Sequence, residues 1–125
     1  MNATLLVMAG GALGAGARYN LGRLLLHWAG PGFPYGTLAA NLLGGLLMGV
    51  LVGVLARDSV TGESWRLLLG VGLLGGFTTF SAFSLEVMNM IDRGAWGVAA
   101  GYALLSVVGS VVALFAGLLA VRAVA

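Results

Sequence analysis

The amino-acid sequence predicts an all-α membrane protein, with residues 1–125 forming a single transmembrane domain of four helices. Of the 125 residues, 60% are hydrophobic and only 8% are charged, whereas soluble domains carry roughly 25% charged residues. The mean hydropathy is +1.05. A helix needs about 20 apolar residues to cross a bilayer, so the chain is long enough for four such helices with short connections. It is too short to hold a second domain.

The four predicted spans are separated by the few polar or turn-forming stretches of the sequence. The first span ends before the segment AGPGFPYG, where two prolines disfavour helix. The second ends at a polar linker at residues 57–63, and the third ends at Asp92 and Arg93. The spans are therefore expected at about residues 3–26, 37–56, 67–91 and 96–121.

The arginines give almost no preference for one orientation in the membrane. With both termini on one side, that side carries Arg57, Arg66 and Arg122, and the other carries Arg23 and Arg93, joined by Arg18 if it reaches that surface. The positive-inside rule then dictates neither orientation, which leaves insertion both ways round open. A small chain inserted both ways can pair with an inverted copy of itself. The sequence therefore predicts a dual-topology, antiparallel homodimer.

The composition argues against several classes of function. The chain has no cysteine and one histidine, which excludes a thiolate metal site, a cysteine nucleophile and a multi-histidine site within one subunit. The four acids are dispersed and no nucleophile is paired with a base, so we do not expect an enzyme. The arginines are scattered singly, and nothing indicates binding to nucleic acid. The partners indicated are the lipid bilayer and a second copy of the chain.

The third span has the least regular helical sequence. It reads GVGLLGGFTTFSAFSLEV, with four glycines just before Thr78, Thr79 and Ser81. Glycine is a poor helix former, and hydroxyls compete for backbone hydrogen bonds. One interpretation is a helix broken in mid-membrane, whose carbonyls could bind a cation and whose amides favour an anion. The other is a continuous glycine-rich helix with its hydroxyls bonded to the preceding turn.

Other side chains of the second and third spans could line a path for a small anion. Asn41 is the isolated amide of the second span and can donate two hydrogen bonds; the alternative is a polar contact between helices. Phe80 and Phe83 share a helix face, and the edge of a phenyl ring is positive. Two phenylalanines on one face are also common in ordinary packing.

The fourth and first spans add further candidates. Tyr102, Ser106 and Ser110 are spaced at four residues and share a face whose hydroxyls suit a small anion, although serines in membrane helices often bond only to their own backbone. Arg18 lies deep in the first span. It could sit in an aqueous vestibule and raise the local anion concentration, or extend to the interface.

Together these segments resemble the Fluc (CrcB) family of fluoride channels over essentially the whole chain. The resemblance rests on GGALGAGARY in the first span, PYGTLAANLLGG at the second, GGFTTFSAFSLEV in the third and GYALLSVVGS in the fourth. The third of these is the most specific. The resemblance implies a multi-pass protein of the bacterial inner membrane that passively exports fluoride and relieves its toxicity. It also implies an antiparallel homodimer with two separate fluoride pores.

The resemblance also implies roles for individual residues. The fluoride pore residues implied are Asn41, Phe80, Phe83, Ser81, Thr79, Ser106, Ser110 and Tyr102. Arg18 matches the family's first-span arginine, which we expect in the vestibule. A structural sodium ion is expected at the centre of the dimer, held by the backbone carbonyls of Gly75 and Thr78. Ala82 replaces a threonine of the family's usual TTFSTFS, and Glu86 matches an acid near one pore end whose role stays open.

Two alternatives to a channel are considered. A proton-coupled exporter resembling the small multidrug resistance family would also have four short spans and dual topology. That class depends on an acidic residue in the first span, where this chain has Arg18 instead. A noncatalytic membrane assembly subunit would explain the many glycines, but not the third span or the isolated Asn41.

Overall fold

The computed structural model describes residues 2–57 and 62–124, and every regular element in them is helical. We number the helices α1 (Ala3–Ala29), α2 (Tyr35–Leu55), α3 (residues 62–77), α4 (Ser81–Asp92) and α5 (Trp96–Val124). The predicted all-α class is confirmed. The helices cover the expected spans and extend the first to Ala29 and the last to Val124. The polar linker predicted at 57–63 falls largely on residues 58–61, which lie outside the described residues.

Three helical segments are long and apolar enough to cross a membrane. They are Tyr35–Leu55, Gly62–Asp92, which comprises α3 and α4, and Trp96–Val124. Helix α1 has 27 residues, which is sufficient length. Its second half contains Arg18, Tyr19 and Asn20 in succession, and these make it less apolar than the other three. The structure thus supports a multi-pass helical membrane protein, and the fourth span, that of α1, stays a prediction.

Glycines allow α1 to lie directly against the backbone of α3. A Cβ atom added at Gly10 would lie 2.7 Å from the amide nitrogen of Leu73 and 3.0 Å from the Cα of Gly72. Further along α1, a Cβ at Gly14 would lie 2.8 Å from the amide nitrogen of Phe77. In lipid, association between helices depends on such close approach, because there is no hydrophobic driving force between them.

A second glycine contact joins α2 to α5. A Cβ at Gly49 would lie 3.0 Å from the amide nitrogen of Leu118, and one at Gly117 would lie 3.0 Å from that of Val50. By contrast, a Cβ at Gly97 or Gly101, near the start of α5, would meet no other atom of the described chain within 4 Å. Those two glycines therefore do not serve helix packing within one subunit.

Helix α3 is irregular along most of its length. Gly62–Trp65 is α-helical, Arg66–Leu74 is a π-helix, and Gly75–Phe77 is again α-helical. A π-helix bonds each amide to the carbonyl five residues earlier and usually lasts a single turn. The amide of Gly75 bonds in this way to the carbonyl of Gly70. Nine residues of π-helix make this the most unusual backbone of the described chain.

Residues 78–80 interrupt the helix between α3 and α4. Thr78 has extended backbone, with φ −83° and ψ 161°, and α4 begins at Ser81. The hydroxyl of Thr78 donates to the carbonyl of Leu74 at 3.0 Å. The structure thus contains features of both sequence interpretations, an interrupted backbone and a hydroxyl bonded to the preceding turn. The depth of this interruption in a bilayer stays a prediction.

Candidate functional site

The interruption creates two helix termini, and at one of them the Thr79 side chain accepts a hydrogen bond from a free backbone amide. The first amides of a helix lack intrahelical partners. At the start of α4, the amide of Ala82 donates to the hydroxyl oxygen of Thr79 at 3.2 Å. The same hydroxyl lies 3.4 Å from that of Ser81, which is exposed. Thr79 therefore acts as a helix cap through its side chain.

Asn41 holds the backbone of Thr79 through two hydrogen bonds. Its Nδ2 donates to the Thr79 carbonyl at 3.0 Å, and its Oδ1 accepts from the Thr79 amide at 2.9 Å. The side chain thus pairs with both backbone polar groups of one residue, as a residue of a neighbouring strand would. An asparagine amide has two N–H donors, and this pairing uses one of them. Asn41 therefore keeps one donor while fixing α2 to the interruption.

Arg18 lies beside the other side of the interruption, at the end of α3. Its Nε donates to the carbonyl of Gly76 at 3.4 Å, and the side chain is half-buried. The last carbonyls of a helix lack intrahelical partners and carry partial negative charge, so a cation is favourable there. The structure places the predicted vestibule residue against the backbone of α3.

A groove of about 430 Å³ runs along the interruption between α2 and α5. Its polar lining residues are Asn41, Thr78, Thr79, Ser106 and Ser110. The hydroxyl oxygens of Ser106 and Ser110 are buried and have no hydrogen-bond partner among the described residues. Buried polar atoms are nearly always paired, and an unpaired one costs stability. These two hydroxyls are free to donate to a ligand in the groove.

The two predicted pore phenylalanines both line this groove, in different environments. Phe83 is buried, at 7% exposure, whereas Phe80 is 74% exposed. Their ring centroids lie 5.6 Å apart with the rings tilted by 45°. Phe80 is one of many large apolar side chains exposed on the subunit, as expected of a surface that lipid or another protein copy covers. Of the predicted pore residues, Ser81 and Tyr102 are not among those lining the groove.

Tyr102 lies behind Phe83 and bonds to an acid. The tyrosine side chain is 1% exposed, and its ring centroid lies 5.2 Å from those of Phe33 and Phe83. Its hydroxyl donates to Oε1 of Glu86 at 2.9 Å, and the hydroxyl of Thr37 donates to Oε2 of the same carboxylate at 2.9 Å. Tyr102 thus connects α5 to α4 rather than facing the groove.

Glu86 and Thr37 line a second cavity, of about 320 Å³, at the end of the molecule where α1 and α4 finish. Phe33, which packs edge-on against Tyr102, also lines this cavity. The buried Tyr102 and Phe83 therefore stand between the cavity and the groove. Sequence reasoning missed Thr37. Its spacing of four residues from Asn41, which puts both on one face of α2, was the signal that could have identified it.

At the interruption the described residues offer backbone carbonyls, and not a cluster of acidic side chains, as candidate ligands for a cation. The described residues contain no group of three or more His, Cys, Asp or Glu side chains able to hold a metal ion. Because α3 ends at Phe77 and Thr78 is extended, the helix does not continue past its last carbonyls. Unwound backbone carbonyls are the ligands that sodium finds in membrane helices. The carbonyls of Gly75 and Thr78 are ligands of the type that a sodium ion takes.

A family model and the individual relatives that resemble this chain agree with one another. The family model described as CrcB-like protein, Camphor Resistance (CrcB), matches residues 5–118. A protein of Phenylobacterium zucineum named fluoride-specific ion channel FluC is 65% identical over 125 residues, covering 99% of this chain and 98% of the relative. Proteins of the same name from Novosphingobium aromaticivorans and Agrobacterium fabrum are 58% and 50% identical. They cover 100% and 90% of this chain, and the same shares of their own lengths.

Proposed function

The chain belongs to the CrcB-like protein family, and we propose that it is a fluoride-selective channel through which fluoride leaves the cell passively. Relatives that share most of its length are named as ion channels, so the chain is a multi-pass membrane transport protein and not an enzyme. A location in the bacterial inner membrane agrees with this. The exporter alternative is not favoured by these names, and α1 carries Arg18 where that class needs an acid.

The pair of unpartnered serine hydroxyls carries this proposal. Fluoride is small and strongly hydrated, so a pore has to replace its water with hydrogen-bond donors. Ser106 and Ser110 bury their hydroxyl oxygens in the groove without a partner among the described residues. The remaining N–H of Asn41 is a third candidate donor to fluoride, because that residue lines the same groove. Together these groups supply three donors, one on α2 and two on α5.

The phenylalanines extend this wall with a weaker attraction. A phenyl edge is positive and attracts an anion without the full charge that would trap it. Phe83 separates the donor groove from the Glu86 cavity, and Phe80 exposes most of its ring. We infer that the fluoride path passes these rings and ends at the Glu86 cavity. There the carboxylate accepts hydrogen bonds from Thr37 and Tyr102, which offset part of its repulsion of an anion.

The exposed surfaces favour assembly as an antiparallel dimer with two pores. Phe80 exposes most of its ring, which a second copy could bury. Gly97 and Gly101 leave a face of α5 open to close approach by another helix. The nearly even distribution of arginines allows both orientations. In that dimer, Gly75 and Thr78 of each copy would hold a sodium ion, whose charge would offset the carbonyl dipoles of the two interruptions.

Fluoride release from liposomes tests the function directly. The purified chain, reconstituted in liposomes loaded with potassium fluoride, should release fluoride rapidly to an electrode, whereas chloride-loaded liposomes should release no chloride. The double substitution Ser106→Ala and Ser110→Ala should slow fluoride release at least tenfold. Ser84→Ala is the matched control, because Ser84 is exposed and does not line the groove. Absence of fluoride release from the folded, unsubstituted chain would reject the proposed function.

A further inference from the structure

The carbonyl oxygen of Thr79 carries partial negative charge and would repel an anion that passes close to it. A break in a helix leaves carbonyls without intrahelical partners, and rings of backbone carbonyls are what cation channels use to replace the hydration of potassium. Thr79 lies in the interruption and lines the groove, as Asn41 does. An uncovered carbonyl at this wall would repel fluoride and attract a cation.

Asn41 covers that carbonyl. Its Nδ2 donates to the Thr79 oxygen at 3.0 Å while its Oδ1 is occupied by the Thr79 amide at 2.9 Å. Both polar ends of the side chain are thus engaged with the backbone of Thr79, and one N–H donor of the amide has no partner in this pairing. The neighbouring carbonyl of Gly76 is approached in a similar way by Nε of Arg18, at 3.4 Å.

We propose that Asn41 is a charge-selectivity residue: by covering the Thr79 carbonyl, it makes the wall of the groove a donor surface for anions rather than an acceptor surface for cations. This inference rests on the proposed fluoride channel. It gives Asn41 a role through Thr79 in addition to any contact with the ion. It also explains why an amide side chain, rather than another hydroxyl, lies opposite the interruption. A hydroxyl has one donor, so it could not bond to the amide and the carbonyl of Thr79 and still keep a donor free.

The test compares the sodium and fluoride permeabilities of two variants. Asn41→Ala uncovers the Thr79 carbonyl, so fluoride release from liposomes should fall and sodium release should rise at least tenfold above that of the unsubstituted chain. Ser110→Ala is the matched control. It removes a groove donor that has no partner among the described residues, so it uncovers no acceptor. In that variant fluoride release should fall while sodium release stays that of the unsubstituted chain.

The pairing itself is measured separately. The chain has five threonines, so labelling with [15N]threonine gives few amide signals, and Thr79→Ser identifies the signal of residue 79. In the unsubstituted chain the Thr79 amide should resist exchange with deuterium, because it is bonded to Asn41. That protection should be lost in Asn41→Ala. Retained protection would overturn the pairing on which the selectivity role depends.

A second variant covers the case in which Asn41→Ala does not fold. Asn41→Leu keeps a side chain of similar length without adding a charge and does not donate to the carbonyl, so sodium release should again rise. Fluoride-selective flux in the unsubstituted chain, with unchanged sodium release from a folded Asn41 variant, would overturn this inference alone. Absence of fluoride flux in the unsubstituted chain would overturn the proposed function. Failure of both variants to fold would assign Asn41 to folding and reject the selectivity role.

Discussion

Tyr102→Phe tests the hydrogen bonds around Glu86 with the least disturbance of packing. The hydroxyl of Tyr102 donates to Glu86 at 2.9 Å, and the side chain is 1% exposed. The ring is held separately by Phe33 and Phe83, each with its centroid 5.2 Å away. Phenylalanine therefore keeps the aromatic contacts and removes only the donor. The free energy of unfolding should fall by about 1.5 kcal/mol, in the range for a hydrogen bond to a charged group.

Two effects set this magnitude. Hydrogen bonds between membrane helices average about 0.6 kcal/mol and reach about 1.7 kcal/mol, while those to charged groups contribute about 1.5–3 kcal/mol. The Tyr102 hydroxyl is out of reach of solvent, and the Glu86 carboxylate accepts a second bond from Thr37 at 2.9 Å. The charged acceptor raises the free energy that the Tyr102–Glu86 hydrogen bond contributes to stability, whereas its position between membrane helices lowers it. The expected loss corresponds to about a tenfold change in the folding equilibrium.

The measurement is the free energy of unfolding in lipid bicelles at pH 7, obtained by steric trapping. Tyr102→Phe, Thr37→Val and the double variant form a cycle. Because both hydroxyls bond to Glu86, the cycle should show a coupling above about 0.5 kcal/mol. Tyr19→Phe is the matched control, since Tyr19 is exposed on α1, and its change should stay within about 0.5 kcal/mol. A loss below about 0.3 kcal/mol for Tyr102→Phe would refute the reasoning, because that is within the scatter of independent sites.

Three further outcomes are expected. Gly14→Val should lower the thermal midpoint of the detergent-solubilised chain, because a Cβ there would lie 2.8 Å from the amide nitrogen of Phe77 and overpacking costs about 1–3 kcal/mol. Gly16→Val is the matched control, because a Cβ there meets nothing within 4 Å, and it should keep a higher midpoint than Gly14→Val; equal midpoints for the two would contradict this. Phe80→Ala should strongly reduce fluoride release with little loss of stability, since its ring is 74% exposed, whereas Phe83→Ala should lower both; unaltered release in both would reject the ring-lined path. Purification with N-methylglucamine in place of sodium should dissociate the dimer on size exclusion, and a surviving dimer with normal flux would count against a structural ion.

The helices could be placed from the sequence because charges are so rare in it. Proline in the first connection and the polar cluster after α2 mark helix ends directly. The extra residues at the ends, up to Ala29 in α1 and Val124 in α5, were not predictable. They depend on how far each helix continues into the interface, where neither hydropathy nor a breaker fixes the last turn.

The irregular backbone of α3 was only partly visible in the sequence. Clustered glycines and hydroxyls indicate a weak helix near residue 78, and the structure has its interruption at residues 78–80. The π-helix at Arg66–Leu74 has no such signal. Its geometry comes with the direct backbone contact between Gly10 and the Gly72 turn, which is a tertiary property that no local sequence pattern encodes.

The partners of the site residues were the least predictable part. The sequence identifies Asn41 as unusual, but its bond to Thr79 joins residues 38 positions apart and depends on the register of α2 against the interruption. Tyr102 was expected to share the face of Ser106 and Ser110. In the structure the three residues keep that spacing on one helix, and the longer side chain of Tyr102 reaches Glu86, an acceptor that the serine hydroxyls do not meet.

The distribution of acceptors explains how so apolar a chain can favour an anion. Two acceptors along the proposed path are already paired: the Glu86 carboxylate accepts from the hydroxyls of Thr37 and Tyr102, and the Thr79 carbonyl accepts from Asn41. Donors are left over in the groove as the unpartnered serine hydroxyls. Because an unpaired polar group is costly in a water-poor site, an excess of donors favours an incoming anion and an excess of acceptors would favour a cation. Selectivity for charge sign can therefore arise from which polar groups are already paired, without any cationic side chain lining the groove.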